Sequence, residues 1–233
     1  MKQEIQFGSA KIAFAIQRSV RKSMTIHVHP DNEILVMAPM DTDISIIIEK
    51  VRTKAPWILK QIAFFNSYKP ATKERQYVNG ETHLYLGRQY RLKIVPDNTN
   101  CIKAYRGQLF IHSSDTSKAA LEKQLHEWYK EKASVIFEEL IGEIFPKFKK
   151  YKISKPILYT RFMSKRWGSC TPSGKIILNS MLVKATKGSI EYVITHELCH
   201  LVHYNHTKEF YALQNKMLPD WEKWKERLEQ LLA

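Results

Sequence analysis

The chain has 233 residues, of which 44% are hydrophobic and 26% charged, with 8 Gly and 9 Pro. This globular composition excludes a collagen-like, low-complexity or largely disordered chain. The formal net charge is +14, spread as +5 over residues 1–80, +5 over 81–155 and +4 over 156–233. No basic arm stands out, and an even surplus favours solubility and general attraction to polyanions.

No apolar run approaches the roughly 18–20 residues of a membrane span; the best, Ile44 to Ile48, contains Ser45. Lys2, Glu4, Lys11 and Arg18 interrupt the first twenty residues, which argues against a secretory signal. Three scattered cysteines, Cys101, Cys170 and Cys199, form no disulfide framework. The expectation is a chain of the reducing cytoplasm that does not engage membranes.

In chain order, alternation over 12–16, 24–28 and 33–37 predicts three antiparallel strands. Asp41-Thr42-Asp43 offers a helix N-cap, and Ile44, Ile47, Ile48, Val51, Ala55, Ile58, Leu59 and Ile62 follow at helical spacing, with Pro56 as a point of kinking or breakage. Residues 83–95 predict a hairpin through Gly87, and two strands flank Arg106-Gly107. Residues 115–145 read as one or two helices ended by Pro146. Strands are expected at 156–162 and 175–179, a helix at 188–204, and helices at 208–217 and 221–232 separated by Pro219. No internal repeat is apparent. The fold class is α+β, with a β-rich region at 1–114 and a mostly helical part at 115–233.

The residues that carry chemistry lie at 192–200, where His196-Glu197-Leu198-Cys199-His200 forms HExxH on an expected helix. Four residues turn a helix by about 400°, so both imidazoles project from one face, one turn apart. That separation suits one Zn²⁺ at about 2.0–2.1 Å from each nitrogen. Glu197 lies beside His196 and can reach a water at the ion without ligating the metal. His203, about 10 Å along the helix axis from His196, is too far for one small ion. His206 reaches the site if the helix stops at Asn205 and the chain folds back. The resulting spacing, His196, His200, His206, equals the metzincin pattern without its glycine, since His203 stands at that position. Glu209 is the second candidate for third ligand, and His83 a more distant one. Upstream, Arg161, Lys165 and Arg166 read either as solvated bases or as groups near the metal that bind an anionic or carbonyl oxygen. Cys170 and Cys199 read as buried structural thiols.

Lys165-Arg166-Trp167-Gly168-Ser169-Cys170, Ile177-Leu178-Asn179, residues 192–201 around HExxH, Asn205-His206-Thr207, Phe210 and Pro219-Asp220-Trp221 together resemble the YgjP-like metallopeptidase domain, also called DUF45. Arg18 to Ser23, Trp57-Ile58, Gly80-Glu81 and Tyr85 to Arg88 extend the resemblance over nearly the whole chain. The resemblance implies a zincin-like (minimal metalloprotease) core with a small antiparallel sheet, joined to an N-terminal β-rich region. It also implies one zinc ion held at His196, His200 and His206, with Glu197 as catalytic base.

The expected activity is zinc-dependent hydrolysis by an activated water, with Arg166 or Lys165 stabilising the negative oxygen that develops. A peptidase is the first reading. A nucleotide hydrolase acting on an anionic substrate is the second, favoured by the basic charge. A zinc-stabilised nucleic-acid-binding module is the third, and it leaves Glu197 without a purpose.

Overall fold

The computed structural model describes residues 2–21, 23–29, 32–67, 75–164 and 166–232, the side chains of 64 and 65 apart. The chain divides into two compact units, Met1–Thr72 and Lys73–Leu232.

The first unit runs β1 (Lys2–Phe7), β2 (Ala10–Ser19), β3 (Thr25–Val28), β4 (Ile34–Pro39) and α1 (Ile44–Ser67). Its sheet order is β1-β2-β4-β3, and β2 lies parallel to β4. The expected all-antiparallel arrangement is therefore corrected. Alternation identifies strands but not neighbours, and β3 folds back on the outside of β4, which forces β4 beside β2 in the same direction. Asp43 caps α1 by accepting the Ser45 N–H at 3.0 Å. Pro56 does not break the helix. Both Pro56 and Arg52, whose carbonyl the ring leaves unbonded, lie on the exposed side, where water can satisfy that oxygen. Ile47, Val51, Ala55 and Ile58 on the opposite stripe pack on Ile5, Ile12, Phe14, Ile34 and Val36 to form this unit's core.

The second unit begins with β5 (Thr82–Tyr85), β6 (Arg88–Pro96), β7 (Ile102–Tyr105), β8 (Gln108–Ser113) and α2 (Lys118–Ile144). The sheet order is β5-β6-β8-β7 with β6 parallel to β8, the same topology as in the first unit and again followed by a long helix. The chain therefore does repeat a ββββα module, contrary to the sequence reading. What recurs is the strand order, a glycine with positive φ in the first hairpin (Gly8 and Gly87) and an N-capping side chain (Asp43 and Ser117), too little for a repeat to be visible in the sequence.

A 3-10 turn (Phe145–Tyr151) follows α2, then β9 (Ile157–Arg161), β10 (Gly168–Cys170), β11 (Lys175–Asn179), a second 3-10 turn (Ser180–Lys184), α3 (Lys187–His200), α4 (Lys208–Met217) and α5 (Trp221–Leu232). The three-stranded sheet is mixed, not antiparallel: β10 pairs antiparallel with β11, and β11 runs parallel to β9. The tight hairpin through Gly174 returns β11 between β10 and β9, so the two outer strands run in opposite directions. The core of this unit joins Leu92, Leu109 and Ile111 of its first sheet to Leu125, Tyr129 and Phe137 of α2 and to Ile176, Ile190 and Ile194. Position 114, the end of the β-rich region read from the expected strands and helices, falls inside the second unit, between β8 and α2.

Two contacts fix α3. Thr186 caps it by accepting the Ser189 N–H, and the β5–β6 hairpin tip docks there, with Leu86 and Gly87 N–H donating to the Val183 and Lys184 carbonyls. A Cβ on Gly87 would lie 2.5 Å from Thr186 Cγ2, which explains why the tip is glycine. On the other side the Trp224 ring covers Gly188, and Trp221 stacks on Tyr192 at 6.1 Å, so both tryptophans pack internally. No helix among the described residues is long and apolar enough to cross a membrane.

His83 lies on β5 and is 3% exposed; its Nε2 has no hydrogen-bond partner among the described residues and sits 3.8 Å from Glu81 Oε1. Burial, aided by Arg75 and opposed by Glu81, pushes its pKa down to about 4. The unfolded chain, with an ordinary imidazole near 6.5, therefore binds more protons between these values, and stability falls as pH drops from about 6.5 to 4. The loss should amount to about 3 kcal/mol, and thermal melts of His83→Gln across that window should show a flatter pH dependence than the parent.

Candidate metal centre

α3 carries His196 and His200 on one face and ends at His200, four residues before the expected Tyr204. Val202 and His203 N–H both return to the Cys199 carbonyl, which closes the helix. The return to α4 proceeds without a left-handed conformation at Asn205, because the early stop already leaves enough chain to turn. The donor atoms of His196, His200 and His206 then lie within 4.8 Å of one another. His196 Nε2 and His206 Nε2 are 3.0 Å apart, close to the ~3.3 Å separating two nitrogens bound tetrahedrally to one zinc ion.

The hydrogen bonds behind the rings decide which nitrogens point inward. His196 Nδ1 lies 2.8 Å from Gln214 Oε1, and His200 Nδ1 lies 3.0 Å from the Tyr204 carbonyl oxygen. Both partners are acceptors, so each Nδ1 carries its proton and each Nε2 presents a lone pair. The His196 lone pair faces His206 Nε2 at 3.0 Å, a separation bridged by a proton or a cation, and the third imidazole makes the arrangement a cation cradle. Burial also pushes His196 down to about 4, with the Gln214 bond opposing, so the neutral form that a metal requires prevails.

Phe210 forms the floor. It is fully buried, with its ring centroid 5.0, 4.6 and 4.7 Å from those of His196, His200 and His206. Gln214, one turn further along α4, is also fully buried, and its Nε2 has no partner among the described residues. An unsatisfied amide N–H costs about 1–3 kcal/mol. The opposite orientation would donate to His196 Nδ1 and force that ring's proton onto Nε2, blocking it. Gln214→Leu should therefore weaken zinc binding about 10–100-fold in chelator competition, whereas Gln214→Glu, which keeps the acceptor, should retain it.

Glu197 projects from α3 toward β10. It is 5% exposed, and a Cβ built on Gly168 would fall 2.5 Å from its Oε1, so the carboxyl rests against bare backbone. Burial raises its pKa to about 7, while Arg166 pulls in the other direction. Asn179 sets the approach of this strand: its side-chain amide donates to the Met163 and Arg166 carbonyls at 2.7 and 3.1 Å, and its backbone N–H to the Trp167 carbonyl. β10 is an edge strand, bonded to β11 on one side. A cavity of about 200 Å³ opens between Trp167, Gly168, Tyr192, His196, Glu197 and Leu228.

A family model described as YgjP-like, metallopeptidase domain, matches residues 22–231. The chain belongs to the YgjP-like metallopeptidase domain family. A comparison with curated proteins returned no match.

Among the candidates read from this YgjP-like sequence, the structure brings His196, His200 and His206 together. Glu209 lies outside the cluster, its carboxylate lowered first by the Thr207 side chain. His83 sits instead beside Tyr77 and Glu81. Lys165 lies outside the described residues, and Arg166 is exposed. Cys199 is buried and its thiol pushed up to about 12; Cys170 is half-buried and pushed to about 11, by burial first and Glu197 second. Neither thiol joins the cluster. The sequence reading missed Gln214, the Tyr204 carbonyl and the role of Gly168. A signal for Gln214 existed, since it falls on the stripe of α4 that holds Phe210 and Leu213.

Proposed function

We propose that this chain is a zinc-dependent metallopeptidase with one zinc ion held by His196, His200 and His206 and with Glu197 as general base. The observation that carries this reading is the convergence of three imidazoles beside a buried carboxyl that packs against an edge strand. A structural site would have no use for that carboxyl, and it closes with a fourth protein ligand.

Zinc bound by three neutral imidazoles would supply Lewis-acid polarisation of a carbonyl oxygen and acidify a water near neutral pH. The chain's own groups do the rest. The edge of β10 that no strand among the described residues pairs with can hold an extended peptide by main-chain hydrogen bonds. Glu197 accepts the proton of the attacking water on its carboxylate and returns it to the leaving nitrogen. Arg166, within electrostatic reach of Glu197, stabilises the oxygen that gains negative charge. The residues acting in this scheme all lie in 115–233, and we assign catalysis to that part of the chain, acting in the cytoplasm.

The test is incubation of zinc-loaded protein with a panel of unfolded proteins and nucleoside triphosphates, with and without chelator. Chelator-sensitive peptide cleavage is the expected result. Chelator-sensitive release of phosphate or pyrophosphate without peptide cleavage would transfer the site to the nucleotide-hydrolase reading. Neither activity would leave a metal-binding module.

A further inference from the structure

The face of the β10-β11-β9 sheet turned away from Glu197 carries a groove whose Arg161 the hydrolytic site does not use. Strand pairing places Ser169, Ile177 and Tyr159 in one row and Arg161 beside Asn179 in the next. A groove of about 440 Å³ opens at this end of the sheet, lined by Arg161, Phe162, Met163, Ser164, Arg166 and Ser169. Arg161 and Arg166 are both exposed, and no ion pair among the described residues includes either. Phe162 is 62% exposed and supplies an apolar wall.

The segment that carries this groove is one-sided in charge, while α2, whose His126 stacks on Phe162, brings Glu122 and Glu127 near that wall. From Ile144 to Ile190 the sequence has eleven Lys and Arg and no Asp or Glu. Division of the chain into thirds conceals this run, because acidic residues on both sides dilute it. All three strands of the sheet lie within it, so no carboxylate on them offsets the two guanidiniums.

Position along β10 ties the groove to the reacting centre. Successive strand residues face opposite sides at about 3.3 Å per residue: Gly168 faces Glu197, and Ser169 faces the groove. A peptide added to the outer edge of β10 repeats that alternation, so every second side chain falls on the groove side, beginning within one or two residues of the bond under attack.

We propose that the groove beside Arg161 is a substrate subsite that receives an Asp or Glu side chain one or two positions from the cleaved bond, a specificity that rests on the metallopeptidase reading. A guanidinium pairs with a carboxylate through two parallel N–H···O bonds, Phe162 and Met163 cover the methylene stem, and the groove holds one or two side chains.

The experiment is digestion of a random decapeptide library by the zinc-loaded full-length chain, with cleavage positions mapped by mass spectrometry. Enrichment of Asp and Glu by about tenfold at one or two alternate positions is expected, and Arg161→Glu should exchange it for Lys and Arg. Cleavage without acidic enrichment, or enrichment that survives Arg161→Glu, overturns the subsite and leaves the metallopeptidase reading standing. Hydrolysis of nucleoside triphosphates with no peptide cleaved overturns that reading. Binding gives a readout independent of turnover: in zinc-loaded Glu197→Gln, fluorescence anisotropy should show an Asp-containing decapeptide binding about tenfold tighter than its Lys counterpart. The added Arg161→Glu change should reverse the order, and equal binding of the two peptides overturns the subsite whatever the hydrolytic activity.

Discussion

Glu197→Gln should lower hydrolysis by about 10²–10⁴-fold while bound zinc, measured by elemental analysis, stays at the parent level. The amide keeps the shape of the carboxyl and its rest against the Gly168 backbone, and the three imidazoles and their partners Gln214 and Tyr204 are untouched. What disappears is the ability to take and return a proton. Burial already penalises the charge at this position, raising the group to about 7, so a neutral side chain should fold at least as well. The thermal midpoint of the variant should therefore equal or exceed the parent's. Loss of activity accompanied by loss of zinc would mean that Glu197 supports the ligands, not the proton transfer. Full activity with full zinc would remove Glu197 from the mechanism.

What the sequence made legible were features whose geometry is local. The helical turn alone brings His196 and His200 to one face, and the six residues to His206 allow a return to the same point. The β5–β6 hairpin is written in Leu86-Gly87, both with positive φ. Features that depend on distant partners stayed hidden. Alternation around Phe14 and Val36 marks β2 and β4 as strands but carries no information on which strand each one joins, so their parallel pairing was missed. β10 is three residues, Gly-Ser-Cys, too short to show a period, yet it is the strand against which Glu197 rests. Phe210 and Gln214 reach the imidazoles only because residues 201–207 turn α4 back across the end of α3, and the form of that turn follows from where the helix stops. The helix stops at His200 as the Val202 and His203 N–H groups both turn back to the Cys199 carbonyl, a closure that no residue type in the segment announces.

His206→Ala is the sharper test of the metal centre, because the sequence left Glu209 as a rival third ligand. The variant should lose more affinity for zinc than removal of a supporting partner does, more than about 100-fold, with chelator competition as the measurement. Its two remaining imidazoles come from one helix, one turn apart, and cannot by themselves complete a tetrahedral set. Glu209→Gln should leave affinity unchanged, since the Glu209 carboxylate is exposed and engaged with Thr207 at the start of α4, whereas His206 Nε2 faces His196 Nε2 at 3.0 Å. The opposite pair of results, tight zinc in His206→Ala and weak zinc in Glu209→Gln, would require the 201–207 turn to rearrange so that α4 rotates its first residues into the cradle. Phe210 resists that motion: it is fully buried beneath all three rings, and any rotation that brings Glu209 to the metal carries this aromatic floor out from under them.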